Sequence, residues 1–223
     1  IRDSNERTYI MDKNLGTIIK IKQDGMIKAF EQNNMQITFV DNFEQLHNYL
    51  KKYLCNHKTV ALGGSMTLFE TGVIDLIHQS DVLLHDRYQE GLEREQMQEI
   101  FRKAFTSDLF ITSTNALTTN GCLYNVDGNG NRVAAMIYGP KEVIVIAGKN
   151  KIFDSEEEAI NHIKSISAPA NAVRLNKKTP CTKTGTCMNC LSADRICSSY
   201  VKLGYQGNIN RIKIVIVDQD LGY

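Results

Sequence analysis

Long apolar runs are missing from this chain. The longest, such as Val143 to Ala147 and Ile214 to Val217, fall far short of the roughly 20 residues that a helix needs to cross a bilayer, so no membrane span is expected. A charge bias is missing too. Lys and Arg number 26 against 25 Asp and Glu, a formal net charge of +1, which argues against a strong overall attraction to nucleic acid or anionic membrane. Residues 1–10, IRDSNERTYI, lack the apolar stretch of a secretory signal. They read as a leader or remnant ahead of Met11, and the protein reads as cytoplasmic, where thiols stay reduced. There is no internal repeat, low-complexity tract or Pro/Gly-rich linker. The 223 residues therefore predict one domain over 11–223, large enough to bury a core without disulfide staples.

Familiar catalytic signatures are also absent. A nucleophile elbow, G-x-S-x-G, fails because Thr67 stands where its last glycine belongs. Neither a Walker A lysine nor G-x-G-x-x-G occurs. His47, His57, His78, His85 and His162 show no H-E-x-x-H spacing, and no Ser/His/Asp set can be assembled from spacing alone.

What is present is an alternation of helical and strand patterns. Leu15, Ile18, Ile19, Met26 and Phe30 share a face of a helix from Met11 to about Asn34. Asn42 caps a second helix with a Phe43, Leu46, Leu50, Leu54 stripe. Strands are expected at Thr59–Leu62, Val82–His85, Leu109–Thr112, Val143–Ala147 and Arg211–Val217, with helices near Thr67–Gln79 and Glu93–Phe105 between them. Ser155 and Glu158 form a capping box for a helix reaching about Ile166, with Pro169 ending it. Leu117–Val126 and Arg132–Tyr138 flank DGNGN, whose Asp-Gly and Asn-Gly pairs suit a β-hairpin. The fold class is therefore α/β, a mainly parallel sheet flanked by helices with an inserted β-hairpin.

Three loops carry candidate chemistry. Gly63, Gly64, Ser65 and Thr67 sit between a strand and a helix, where backbone N–H groups converge on phosphate or carboxylate; an ordinary turn with a hydroxyl cap reads equally well. Asn115, Asn120, Asn125 and Asp127 place side-chain amides and a carboxylate where they can hold a polar substrate, or only shape turns. Asp127, Asn129 and Asn131 imitate a calcium loop, but Arg132 and Tyr138 stand where it needs Gly and Glu. Glu70 and Asp86 join Asp127 as candidate acid–base groups, since strand ends and the helix after the glycine loop face one crevice.

The third loop holds four of the six cysteines, Cys181, Cys187, Cys190 and Cys197. Their C-x5-C-x2-C-x6-C spacing favours a four-sulfur centre, either zinc or an iron–sulfur cluster, over ordinary thiols or two disulfides. Cys122 reads as a core thiol.

ALGGSMTLFETG (61–72), HDRYQEGL (85–92), TSTNALTTNGCLYNVDGNGNRVAAMIYGP (112–140) and APANAVRLNKKTPC with TGTCMNCLSADRIC (168–197) together resemble the LUD-domain, or lactate-utilization, family. The likeness runs from about residue 12 to 223 and is greatest to short single-domain members with a C-terminal Cys-rich loop. The family is similar in fold to the ribose-5-phosphate isomerase, glucosamine-6-phosphate deaminase and CoA-transferase superfamily. The resemblance implies a component of an oxidoreductase system that turns a small 2-hydroxy acid, lactate, into pyruvate. Its implied partners are an iron–sulfur oxidoreductase protein or a second copy of the chain. The alternative is a non-catalytic small-anion-binding or regulatory protein with a structural metal. By the superfamily analogy, Gly63, Gly64, Ser65 and Thr67 line the anion site, and Asn115, Asn120, Asn125 and Asp127 face it.

Overall fold

The computed structural model describes residues 12–223, so the leader reading of residues 1–10 and a helix start at Met11 lie outside the described residues. Helix α1 (Lys13–Gln32) begins where the Asp12 carboxylate accepts from the backbone N–H groups of Asn14 and Leu15. Only the second half of its expected apolar face is used. Met26 and Phe30 are buried, whereas Leu15 and Ile18 are more than half exposed. Helix α2 (Phe43–Leu54) starts at Asn42, whose side chain accepts from the Gln45 N–H, and it buries Leu46, Leu50 and Leu54.

Six parallel strands form the main sheet: β1 (Gln36–Val40), β2 (Thr59–Leu62), β3 (Leu83–His85), β4 (Leu109–Thr112), β7 (Glu142–Gly148) and β10 (Ile212–Val217), in the order β1-β10-β7-β4-β2-β3. The continuous apolar runs in β7 and β10 follow from burial on both faces of a parallel sheet. On one face, Val143, Val145, Ile214 and Ile216 pack with Met26 and Phe30 of α1. On the other, Ile144, Ile146, Val215 and Val217 pack with the leucines of α2 and with Val73 and Ile77 of α4 (Val73–His78). Each fully buried Leu or Ile of this kind contributes about 1.5–3 kcal/mol. β1, whose QITFV sequence sits on the sheet edge, was not anticipated from the sequence.

A second sheet of four strands, in the order β8-β5-β6-β9, packs beside the first. It comprises β5 (Ala116–Thr118), β6 (Cys122–Asp127), β8 (Ile152–Phe153) and β9 (Ser199–Leu203). Here the expected hairpin is corrected. β5 and β6 do pair antiparallel, around a turn closed by the Gly121 N–H to Thr118 oxygen bond. Residues after Asp127 do not return as a strand; they form helix α6 (Asn131–Tyr138). The segment RVAAMIY is too short and too uniformly apolar for periodicity to separate strand from helix. Asp127 decides locally, because its carboxylate accepts from the Val133 N–H in the first turn of α6. At the other end, Arg211 donates to the carbonyls of Ala135, Met136 and Pro140 and so satisfies the helix terminus.

Two further expectations need correction. The helix expected over Thr67–Gln79 is split by Gly72 into α3 (Met66–Glu70) and α4. Pro169 does not stop the helix that follows Ser155. The capping box starts α7 (Glu156–His162) as expected, a π-type turn spans Ile163–Ser167, and α8 (Ala168–Arg174) carries Pro169 in its first turn, where a missing N–H costs little. The remaining helices are α5 (Arg94–Lys103) and the single turn α9 (Cys181–Thr184). Among the described residues no helix is long and apolar enough to cross a membrane.

Candidate functional site

Parallel strands end on one side of a sheet, and loops leaving those ends meet there. Residues that follow β2 (Gly64, Ser65), β3 (Arg87), β4 (Ser113, Asn115), β7 (Lys151) and β10 (Tyr223) all line one cavity of about 680 Å³. The second sheet adds Asp127, helix α6 adds Arg132, and the segments after α7 add Arg174, Lys177 and Ala193 to Ile196.

The charge of this crevice is one-sided. Arg87, Arg94, Arg132, Lys151, Arg174, Lys177 and Arg195 line it against two carboxylates, Asp127 and Asp194. Both carboxylates are already engaged. Asp127 lies 2.7 Å from Arg132, and Asp194 lies 3.3 Å from Lys177 while accepting from the Lys178 N–H. Arg87 is largely enclosed, with its guanidinium 4.8 Å from the Phe101 ring centroid and its Nε without a hydrogen-bond partner among the described residues. Burial lowers the Arg87 pKa, yet a guanidinium keeps its proton in protein. A half-buried cation with no carboxylate in ion-pair reach among the described residues is costly, so the site favours an incoming anion.

Arg132 organises the polar run of the hairpin. Its guanidinium donates to Asp127 Oδ1, Asn125 Oδ1, Asn115 Oδ1 and the carbonyl of Ser113 at 2.6–2.9 Å. Asn115 and Asp127 reach the cavity, whereas Asn125 lies behind them, nearly fully buried. Asn120 is elsewhere: it is exposed at the β5–β6 turn, accepting from the Thr118 hydroxyl.

The glycine loop divides similarly. Gly64 and Ser65 line the cavity, Gly63 is buried against Thr112, and Thr67 is buried beneath, hydrogen-bonded to Lys151. The Ser65 N–H is taken by the Tyr88 hydroxyl at 3.2 Å, so Tyr88 seats the loop. Ser65 makes no side-chain cap. Of the acid–base candidates, Glu70 is exposed and accepts from the Gly222 N–H. Asp86 is buried between His78 and the Tyr88 N–H. Neither lines the cavity.

Lys151 is the residue that sequence reasoning missed most completely. It leaves β7 on a single 3-10 turn and is 3 % exposed. Its ammonium nitrogen lies 3.1 Å from Thr67 Oγ1 and 3.2 Å from Ser113 Oγ. Burial, and then the charge of Arg132, push its pKa down to about 7, against a weaker opposing pull from Glu70. Its only sequence signal was a lysine at the end of an apolar strand. Arg87, Arg132, Arg174 and Arg195 lay inside the segments that carry the family resemblance, without a spacing that marks them.

The metal expectation for Cys181, Cys187, Cys190 and Cys197, zinc or iron–sulfur, is overturned. All four are free thiols, and among the described residues no group of three or more His, Cys, Asp or Glu could hold a metal ion. Spacing brought the sulfurs close in sequence, but other contacts set the loop. Arg195 donates to the carbonyls of Cys190 and Cys197, the Thr179 hydroxyl lies 3.2 Å from Cys181 Sγ, and Cys187 Sγ accepts from the Asn189 N–H. The stretch serves as a wall of the crevice.

Fold and geometry together define an α/β domain with a cationic crevice at its strand ends. The chain belongs to the LUD domain family, whose model matches residues 24–217. Its structure is similar to that of a DUF162 family protein from Deinococcus radiodurans, with a TM-score of 0.50 over 89 % of this chain and 96 % of that one at 14 % identity. At that identity the likeness bears on the fold alone. No curated protein matches the chain.

Proposed function

We propose that the protein binds a small organic anion carrying more than one negative charge, in the crevice where the β2, β3, β4 and β7 loops meet. One observation carries the reading: among the described residues six cationic side chains besides Lys151 line the cavity, and the two carboxylates there, Asp127 and Asp194, are already paired. A volume of about 680 Å³ sits within the usual range for small-molecule sites and exceeds what a three-carbon acid fills. A phosphorylated compound or a dicarboxylate matches both size and charge. The superfamily resemblance, which includes sugar-phosphate enzymes, supports the same ligand class.

The lactate-utilization role attached to the family supports a second reading, a 2-hydroxy acid oxidoreductase component. There a single carboxylate would engage Arg87 and leave most of the cationic wall unmatched. Titration calorimetry with pyrophosphate and with L- and D-lactate at low salt separates the two. Tighter, salt-sensitive binding of pyrophosphate, lost by at least tenfold in Arg87→Met with Arg174→Met, is the expected result. Tight lactate binding with none of pyrophosphate would favour the second reading, and binding of neither would overturn both.

A further inference from the structure

The anion reading gives work to the arginines but none to Lys151, and the inference below rests on that reading. Lys151 occupies the floor of the crevice. It is buried but reaches the cavity lining, lacks a carboxylate partner within ion-pair distance among the described residues, and hydrogen-bonds there to two hydroxyls, those of Thr67 and Ser113. The main chain of Gly222 closes the far side: a Cβ there would stand 3.3 Å from the lysine nitrogen and 2.8 Å from Thr67 Oγ1. An amine used only to attract anions would gain from exposure to the ligand's charge and from keeping its own. This one is placed where charge is hardest to keep.

We propose that Lys151 is a nucleophilic amine that condenses with the carbonyl group of a small anionic aldehyde, ketone or 2-oxo acid whose charge rests on the crevice arginines. The nitrogen lone pair adds to the carbonyl carbon, and the carbonyl π pair moves to oxygen, which takes up a proton. The carbinolamine then loses that oxygen as water as the C=N bond forms. Amine and carbonyl become imine and water; nothing is oxidised or reduced. The Ser113 hydroxyl, 3.2 Å from the nitrogen and on the cavity wall, is placed to relay the proton between nitrogen and oxygen.

Electrostatics supports the geometry. Burial and the neighbouring Arg132 on α6 lower the ammonium pKa to about 7, with Glu70 on α3 pulling the other way. His162 on α7 also feels this lysine, whose charge adds to burial in lowering the imidazole pKa. A far larger share of the Lys151 amines is therefore free at neutral pH than the order of one in a thousand that an exposed lysine offers.

Borohydride trapping tests the proposal. The full chain is incubated at neutral pH with pyruvate, and separately with dihydroxyacetone phosphate, each with sodium cyanoborohydride, and adducts are mapped by peptide mass spectrometry. The expected result is one dominant adduct at Lys151 with one or both probes, lost in Lys151→Met, with the better probe telling a carboxylate from a phosphate seat. Modification spread over surface lysines equally in wild type and variant would overturn it. Pyrophosphate titration of Lys151→Met keeps the two readings apart. Retained binding with no trapping in wild type sinks the amine but leaves the anion crevice standing.

Discussion

Arg132 and Asp127 meet at 2.7 Å where both side chains are almost closed off from water. The same carboxylate holds the first turn of α6 through the Val133 N–H, and the same guanidinium holds Asn115 and Asn125. One ion pair thus joins the second sheet, helix α6 and the β4 loop beneath the crevice. Removing one partner of a buried pair leaves the other charge unmatched, which costs about 3–5 kcal/mol. Asp127→Ala should lower stability by that order in urea unfolding, and Asp127→Leu combined with Arg132→Met should recover a large part. A double-variant loss equal to the sum of the two single losses would show that the two residues do not act as a pair.

The α2 stripe makes a contrasting prediction. Leu50 is fully buried among the residues that cover one face of the sheet, remote from the crevice lining. Leu50→Ala should cost about 2–5 kcal/mol through lost transfer energy and a cavity. Pyrophosphate affinity below the melting range should stay within twofold. A large affinity loss at full folding would mean that this face and the crevice are coupled.

Gly64 probes the crevice without touching the core. A Cβ at this position would stand 3.0–3.2 Å from the Arg87 guanidinium atoms. Such a clash is relieved by moving the end of one long side chain, which costs the fold little and displaces the Arg87 guanidinium from the cavity wall. Gly64→Val should weaken pyrophosphate binding at least tenfold while the melting temperature moves by only a few degrees. A collapse in melting temperature with unchanged affinity would place Gly64 in the scaffold instead.

The loop that brings Ala193, Asp194, Arg195 and Ile196 to the cavity depends on Arg195, whose two terminal nitrogens bridge the carbonyls of Cys190 and Cys197 at 2.9 and 2.7 Å. Arg195→Met should leave the sheet domain folded but speed proteolytic cleavage within this segment several-fold, since exposed loops without tethers are cut first. Cleavage that is unchanged, or that begins in α1 or α2, would show that other contacts hold the wall.

The helices with capped starts and the doubly buried strands were legible because their signals are local. Asn42, the Ser155–Glu158 pair and the apolar run of β7 each act within a few residues. The segment after Asp127 was misread because turn chemistry at DGNGN suits a hairpin, while the deciding contact, Asp127 to Val133, requires the helix to exist first. The cysteines misled for a related reason: spacing limits which sulfurs can meet but does not bring them together. Of the glycine loop and the Asn115–Asp127 run, Gly64, Ser65, Asn115 and Asp127 line the cavity, whereas Gly63, Thr67, Asn120 and Asn125 do not. The cations that give the crevice its character come from separate segments, the loops after β3 and β7, helices α6 and α8 and the stretch before β9, which only the tertiary fold brings to one place.

Lys151 links stability to pH with a sign that can be worked out. Its pKa is about 7 in the folded protein against an ordinary 10.5. Between those values the unfolded chain binds a proton that the folded chain has released, so raising the pH favours folding. The contribution is complete above the unfolded pKa and is lost as the pH falls through about 7, with a slope of up to about 1.4 kcal/mol per pH unit. Lys151→Met has no such group and keeps a similar volume in the same enclosure. The stability of wild type minus that of the variant, from urea unfolding, should therefore climb steadily between about pH 7 and pH 9.5 and level off below pH 7. Taking the difference cancels the titration of the groups that do not feel Lys151; His162, which does, contributes only at lower pH, around and below its own lowered pKa. A difference that stays flat over that range would mean that Lys151 keeps its proton inside the fold, and the nucleophile would lose its electrostatic support.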